Sequence, residues 1–254
     1  MVPFVPFVSL EAVNLHYNAE EQTQEIGILD EESGDLRGGT VALGARVQHW
    51  TLALGAELAD GTLAYTGRSQ PFLFPITTTT RLERRNGTVS FGYQWETGTD
   101  STLAVNVEAS RREFGRDIRP SPLTSALTET TRSSAAGVRI EWRQILLHRY
   151  GLGWSGHLLA EVPFRQTLEV DSHGVYDGFD ERPGSRPYYG LALGPQLKVA
   201  ENISVFAQFG YSLQRYAASP AVLIRKGGVP AGTASYPGSR QVMVSSQLGV
   251  NFSF

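Results

Sequence analysis

The segment "EVDSHGVYDGFDERPG" places Asp171 two residues before His173. On an extended backbone, residues i and i+2 project to the same side. The carboxylate can then orient and polarise the imidazole, as a general base that activates water requires. A second set of reactive side chains is spread along the chain. Arg46, Glu57, Glu108, Arg139, Glu141, His157, Glu161 and Lys198 each lie on the polar side of an alternating segment. Facing one shared space, they would give a field of both signs, suited to ions or small polar solutes and weakly selective between them. The five histidines, His16, His49, His148, His157 and His173, come from separate segments without ligand spacing, and there is no cysteine. No metal and no cofactor is expected.

Two polar stretches read as loops. "YNAEEQTQEIGILDEESGDLRGG" carries Glu20, Glu21, Glu25, Asp30, Glu31, Glu32 and Asp35. It lacks the ligand order of a calcium loop and reads as a solvated acidic segment. Farther on, Arg68, Arg81, Arg84 and Arg85 flank "PFLFP", so that Phe72 and Phe74 would meet lipid acyl chains or a protein partner while the arginines meet phosphate. With 22 basic and 25 acidic residues and no basic tract, nucleic acid is not an expected partner.

The elements that would position these residues are strands. "VSSQLGVNFSF" sets Val244, Ser246, Leu248, Val250, Phe252 and Phe254 against Ser245, Gln247, Gly249, Asn251 and Ser253. The same period of two recurs in "GGTVALGARVQ", "WTLALGAEL", "GTVSFGYQWE", "TLAVNVEASR", "AGVRIEWRQ", "YGLGWSGHLLAEVPF", "YGLALGPQLKV" and "ISVFAQFGYSLQ". No apolar stretch is long enough for a membrane-crossing helix. The first segment, residues 3 to 19, changes phase near Ala12 and Val13, as a bulge would make it do. Short links fall near Gln48 to Trp50, Thr97 to Asp100, Gln144 to Arg149 and Ala200 to Asn202. Long polar links fall near residues 20 to 38, 67 to 83, 115 to 131, 166 to 186 and 217 to 239.

Such asymmetry is that of an all-β, antiparallel transmembrane barrel of about ten strands (8 or 12 are also compatible), one domain over residues 1 to 254, with short periplasmic turns and long extracellular loops. Trp50, Trp95, Trp142 and Tyr150 would mark one headgroup level, and Tyr65, Phe164, Tyr188 and Tyr216 the other.

With these strands, this loop rhythm and "QLGVNFSF" ending in Phe254, the chain resembles the outer-membrane β-barrel proteins of Gram-negative bacteria. No particular family is matched. The resemblance implies a monomer in the outer membrane, surrounded by lipid and lipopolysaccharide. It also implies that the terminal aromatic is read by the barrel-assembly machinery. The segment "MVPFVPFVSLEAVNL" lacks a basic start and an uninterrupted apolar core, so it reads as mature chain from which a signal peptide, if there was one, has been removed. Outer-membrane aspartyl-type proteases of ten strands are similar in size, topology and an Asp-x-His pair near the rim. Their pattern also needs two facing acidic residues, where "TGRSQPFLFPITTTTRLERRNG" offers Glu83 with Asp60 below it. Asp171 and His173 are therefore expected to be solvated loop residues, and no enzyme is expected. The function expected is a narrow passive channel for ions or small polar solutes. The alternative is a non-conducting binding or structural barrel whose loops contact lipid, glycan or protein, and behind both stands a rim hydrolase or protease.

Overall fold

The computed structural model describes residues 4–23, 27–68, 74–98 and 100–254. Its strands are β1 (Phe4–Thr23), β2 (Gly27–Val47), β3 (Trp50–Arg68), β4 (Pro75–Gly98), β5 (Ser101–Ile118), β6 (Leu127–Leu147), β7 (Leu152–Asp171), β8 (Phe179–Glu181), β9 (Gly184–Ser185), β10 (Tyr188–Ala200), β11 (Ile203–Ala217), β12 (Val222–Lys226), β13 (Val229–Ala234) and β14 (Gly238–Ser253). Ten of them, β1 to β7 with β10, β11 and β14, pair antiparallel in a closed ring. The ring shuts between β1 and β14, from Phe7 opposite Ser253 to Gln22 opposite Gly238. The Phe254 amide donates to the Pro6 carbonyl at 2.9 Å. Closure satisfies the backbone groups that an edge strand would expose to hydrocarbon.

Inward glycines let the wall curve tightly. A Cβ on Gly38 or Gly194 would strike a carbonyl of the adjacent strand. The rings of Phe7 and Phe206 lie where Cβ atoms on Gly44 and Gly249 would sit, so that an aromatic covers each bare backbone.

The strands run well past the lipid. Outward-facing apolar runs cover residues 4–12, 39–47, 50–58, 87–95, 103–109, 136–142, 152–164, 189–199, 203–213 and 242–254, and these are the lipid-spanning parts. Beyond them the same strands continue with polar outward residues and apolar inward ones. On β1 the outward side passes from Leu10 and Ala12 to Asn14, His16 and Asn18, while the inward side passes from Ser9 and Glu11 to Val13, Leu15 and Tyr17.

This exchange corrects three sequence expectations. Near Ala12 and Val13 the β1 register is unbroken on both sides, so the change of phase is the strand leaving lipid, not a bulge. Register shifts lie elsewhere, for example at Glu21/Gln22 and at Ser134/Ala135, where Phe164 is the extra residue. Second, much of the long polar links is strand: Glu20 to Glu21 and Asp30 to Arg37 are paired residues of β1 and β2. Their polar side faces water, which the composition of a loop imitates. Third, Tyr65, Tyr188 and Tyr216 point inward, not toward headgroups. Exposed Phe164, Tyr189 and Tyr211 stand on the lipid side instead. Glu25 and Phe72 lie outside the described residues.

Candidate functional site in the lumen

From the short-turn end, the lumen begins as a vestibule of about 810 Å³. Arg46, Glu57, Glu108, Arg139, Glu141, His157 and Lys198 line it. Each arrives there by alternation: on β2, for example, Arg46 shares the inward side with Gly44, Ala42 and Thr40, while Leu43 and Val41 face lipid. Arg139 grips Glu108 with two hydrogen bonds, 2.7 and 3.1 Å long. Arg46 donates to Gln94 at 3.5 Å.

Glu161 does not line the vestibule. It is fully buried above it, in an ion pair with Arg112 and accepting from Ser110 at 2.6 Å. Beside it Arg84 pairs with Glu57 at 2.5 Å. The Arg112 guanidinium also lies over the Tyr188 ring, 4.1 Å from its centre. These pairs neutralise the charges that the narrow interior encloses, where an unpaired ion would be very costly.

Above this charged floor the lumen is filled. Val13, Leu15, Tyr17, Leu36, Leu63, Leu82, Phe114, Leu159, Tyr188 and Met243 belong to one apolar cluster, drawn with Ala19 and Ala59 from eight of the ten barrel strands. Tyr17, Leu36 and Leu82 have no solvent exposure. Buried side chains in mutual contact across the lumen form a core of the kind found inside soluble proteins.

A second charged layer closes the extracellular end. Arg116 on β5 meets Glu21 at 2.8 Å, Glu32 at 3.1 Å and Glu129 at 2.6 Å. Thr80 donates to Glu32 at 2.7 Å, and Tyr65 donates to Asp30 at 3.2 Å. Nearby, buried Glu181 accepts from Ser219 at 2.6 Å and from the Tyr236 amide at 2.5 Å. This layer lies outside the lipid-spanning parts. Burial, reinforced by the Glu21 charge, pushes the Asp30 carboxyl up to about 9, with Arg116 acting in the opposite sense. Burial likewise pushes Glu129 up to about 7, against the pull of Arg116 and with the help of Glu21, Glu32 and Glu181.

At the rim, Asp171 and His173 do not form the couple their spacing suggested. His173 has φ 52°, and its backbone N–H, not its ring, bonds the Asp171 carboxylate at 2.8 Å. Its Nε2 lies 2.9 Å from the Thr128 hydroxyl, which donates to Asp117 at 2.8 Å. The positive φ ends the extended geometry on which a shared direction depends. Next to this turn, the Asp177 carboxylate accepts the Gly227 and Gly228 amides at 2.9 and 2.8 Å and so fastens the β12–β13 hairpin to the rim.

On the outside, the first outward residue above the apolar run is arginine on six strands: Arg37, Arg85, Arg111, Arg165, Arg215 and Arg240. Arg85 belongs to an ion-pair ladder with Glu83 and Glu113 that continues through Arg132 to Glu169. Among the described residues, the other five have no carboxylate at salt-bridge distance. Of the basic residues read as loop two, Arg84 is interior while Arg81 and Arg85 are outside.

Sequence reasoning missed the upper layers. Arg84, Arg116, Glu21, Asp30, Glu32 and Glu129 fall in stretches whose composition reads as loop, although alternation continues through them in Leu82–Arg84 and Phe114–Arg116.

The chain has the fold of small outer-membrane β-barrels. It is similar to the outer membrane protease OmpT from Escherichia coli, with TM-score 0.65 and 10% identity over 99% of this chain and 96% of that one. It is also similar to the translocator domain of the autotransporter NalP from Neisseria meningitidis, with TM-score 0.48 and 11% identity over 97% and 88%. The Pseudomonas putida toluene transporter TodX aligns with TM-score 0.39 and 11% identity over 98% and 89%. At these identities the likeness extends to the fold alone. No family model and no curated protein matches the chain.

Proposed function

We propose that this chain is a monomeric protein of the bacterial outer membrane whose lumen is sealed and whose extracellular rim is its working surface, a binding or structural barrel and not an open pore. The observation that carries this reading is the dry layer around Tyr17, Leu36 and Leu82, which interrupts the lumen between the vestibule and the outside. The fastened β12–β13 hairpin gives the rim a fixed surface, with Leu223 and Val229 exposed on it. Phosphates of an anionic outer leaflet, such as lipopolysaccharide, suit the arginines above the belt, since guanidinium and phosphate pair strongly. The closing strand is what the barrel-assembly machinery would read during insertion.

Passive passage of ions or small polar solutes is a second reading, favoured by the size and charged lining of the vestibule. It requires the dry layer to part. Planar-bilayer recording of the refolded protein near pH 6, with Arg139→Ala alongside, separates the two. The sealed barrel is silent in both forms. Reproducible current steps whose size or ion preference changes in Arg139→Ala would overturn it in favour of the channel.

A further inference from the structure

The extracellular charged layer holds more carboxyl groups than its cation can serve. Glu21, Asp30, Glu32 and Glu129 gather at the guanidinium of Arg116, and Glu181 adds a further negative charge beside Glu129. Glu21 and Asp30 are direct cross-strand partners of β1 and β2, and both point into the buried interior. Two carboxylates facing each other away from water cannot both be ionised, so one holds a proton that the other accepts. Glu32 is 2% exposed, and its Oε2 has no partner. The remaining titratable groups facing the layer are Tyr17 of β1, Tyr65 of β3, Tyr216 of β11 and Tyr236 before β14, none of which adds positive charge, while Arg84 and Arg112, which act on Tyr216, are paired with Glu57 and Glu161. Among the described residues, no three acidic or histidine side chains are arranged to hold a metal ion.

We propose that this layer is a proton-holding lock on the sealed lumen: protons kept by the surplus carboxyl groups join the upper ends of β1 and β2 to those of β5 and β6, and losing them parts the strands. The proposal rests on the sealed reading above. Arg116 sets the geometry, since it bridges β5 to β1, β2 and β6 at once. With the protons gone, mutual repulsion among five buried carboxylates opposes the bridges formed by one guanidinium. Because the Asp30 and Glu129 carboxyls titrate above their ordinary values, the lock is closed in acid and loosens as pH rises through about 7 and then about 9.

The test is planar-bilayer recording of the wild type and of Asp30→Asn/Glu129→Gln near pH 6 and near pH 10, with circular dichroism to verify folding. These amides cannot ionise and keep hydrogen-bonding capacity. The wild type should be silent near pH 6 and show steps near pH 10, while the folded variant stays silent at both. Wild-type silence near pH 10 overturns the lock and leaves the sealed barrel standing. Steps near pH 6 overturn the sealed barrel itself. A folded variant that opens like the wild type, or a wild type that a chelator alone opens near pH 6, also overturns the lock, the latter by showing that a divalent cation holds the carboxylates.

Discussion

Along β3 the outward residues run Trp50, Leu52, Leu54, Ala56 and Leu58, then Asp60, Thr62, Ala64, Thr66 and Arg68. The inward residues run Thr51, Ala53, Gly55 and Glu57, then Ala59, Leu63 and Tyr65. One continuous strand therefore belongs to two kinds of protein. Its lower half is a membrane barrel, apolar outside and polar within. Its upper half is a small water-facing barrel with a core of its own. Pairing with β4 stays in register from Trp50 to Arg68, so backbone geometry plays no part in the exchange. The solvent around each half decides which side is apolar. The charged groups divide in the same way, lining a vestibule below and forming the buried Arg116 network above.

The largest expected effect is in the cap. Arg116→Met leaves Glu21, Glu32 and Glu129 buried without their cation, at a cost of about 3–5 kcal/mol to the upper half. Urea titration followed by protease cleavage above the belt should show that loss while the lipid-spanning half stays folded. The loss should shrink in acid, where the stranded carboxylates take up protons. Leu36→Ala, in the dry layer, should cost about 2–5 kcal/mol by opening a cavity. Next comes a pair that sets the two halves against each other. Leu54→Lys should cost about 2–4 kcal/mol in a bilayer, because it puts a charge at the middle of the belt. Thr62→Lys, outward on the same strand, should stay within about 0.5 kcal/mol.

In the wild type, stability of the upper half should fall as pH rises. The raised carboxyls of Glu129 and Asp30 contribute fully below the ordinary carboxylate range, and that contribution is lost as pH climbs through about 7 and about 9. Thermal melts at a series of pH values should show this fall, and Asp30→Asn/Glu129→Gln should flatten it. A small effect also belongs to the exposed ladder, where Glu113→Gln should cost less than about 1 kcal/mol and should vanish at high salt.

How far the sequence was legible follows the same division. In the belt, alternation of apolar with small or polar residues marks nine of the ten strands, because lipid admits only one kind of outward side chain; β1 is less regular there, since Val5 and Phe7 face inward. Closure was legible for the same reason. Above the belt, "DEESGDLRGG" looks like a loop, because its outward Glu31, Ser33, Asp35 and Arg37 are as polar as any loop, and because the inward Glu32 and Asp30 are charged as well. Only Leu36 betrays the core side. The adjacent tyrosines Tyr188 and Tyr189 could not be told apart without register, yet one covers Arg112 and the other faces lipid. The Asp171–His173 pair was visible as a spacing but misleading as a geometry, since a positive φ at a non-glycine residue leaves no mark in composition.

The most direct measurement is a single-cysteine scan along β3 in reconstituted bilayers, read with a water-soluble thiol reagent, since the chain has no cysteine of its own. Positions 60, 62 and 66 should react, as should 53 and 55 through the vestibule. Positions 52 and 54 should be protected by lipid and position 63 by the dry layer. Rapid reaction at 63, in a protein that stays folded, would contradict a sealed lumen, and reaction at 54 equal to that at 62 would contradict the boundary between the two halves.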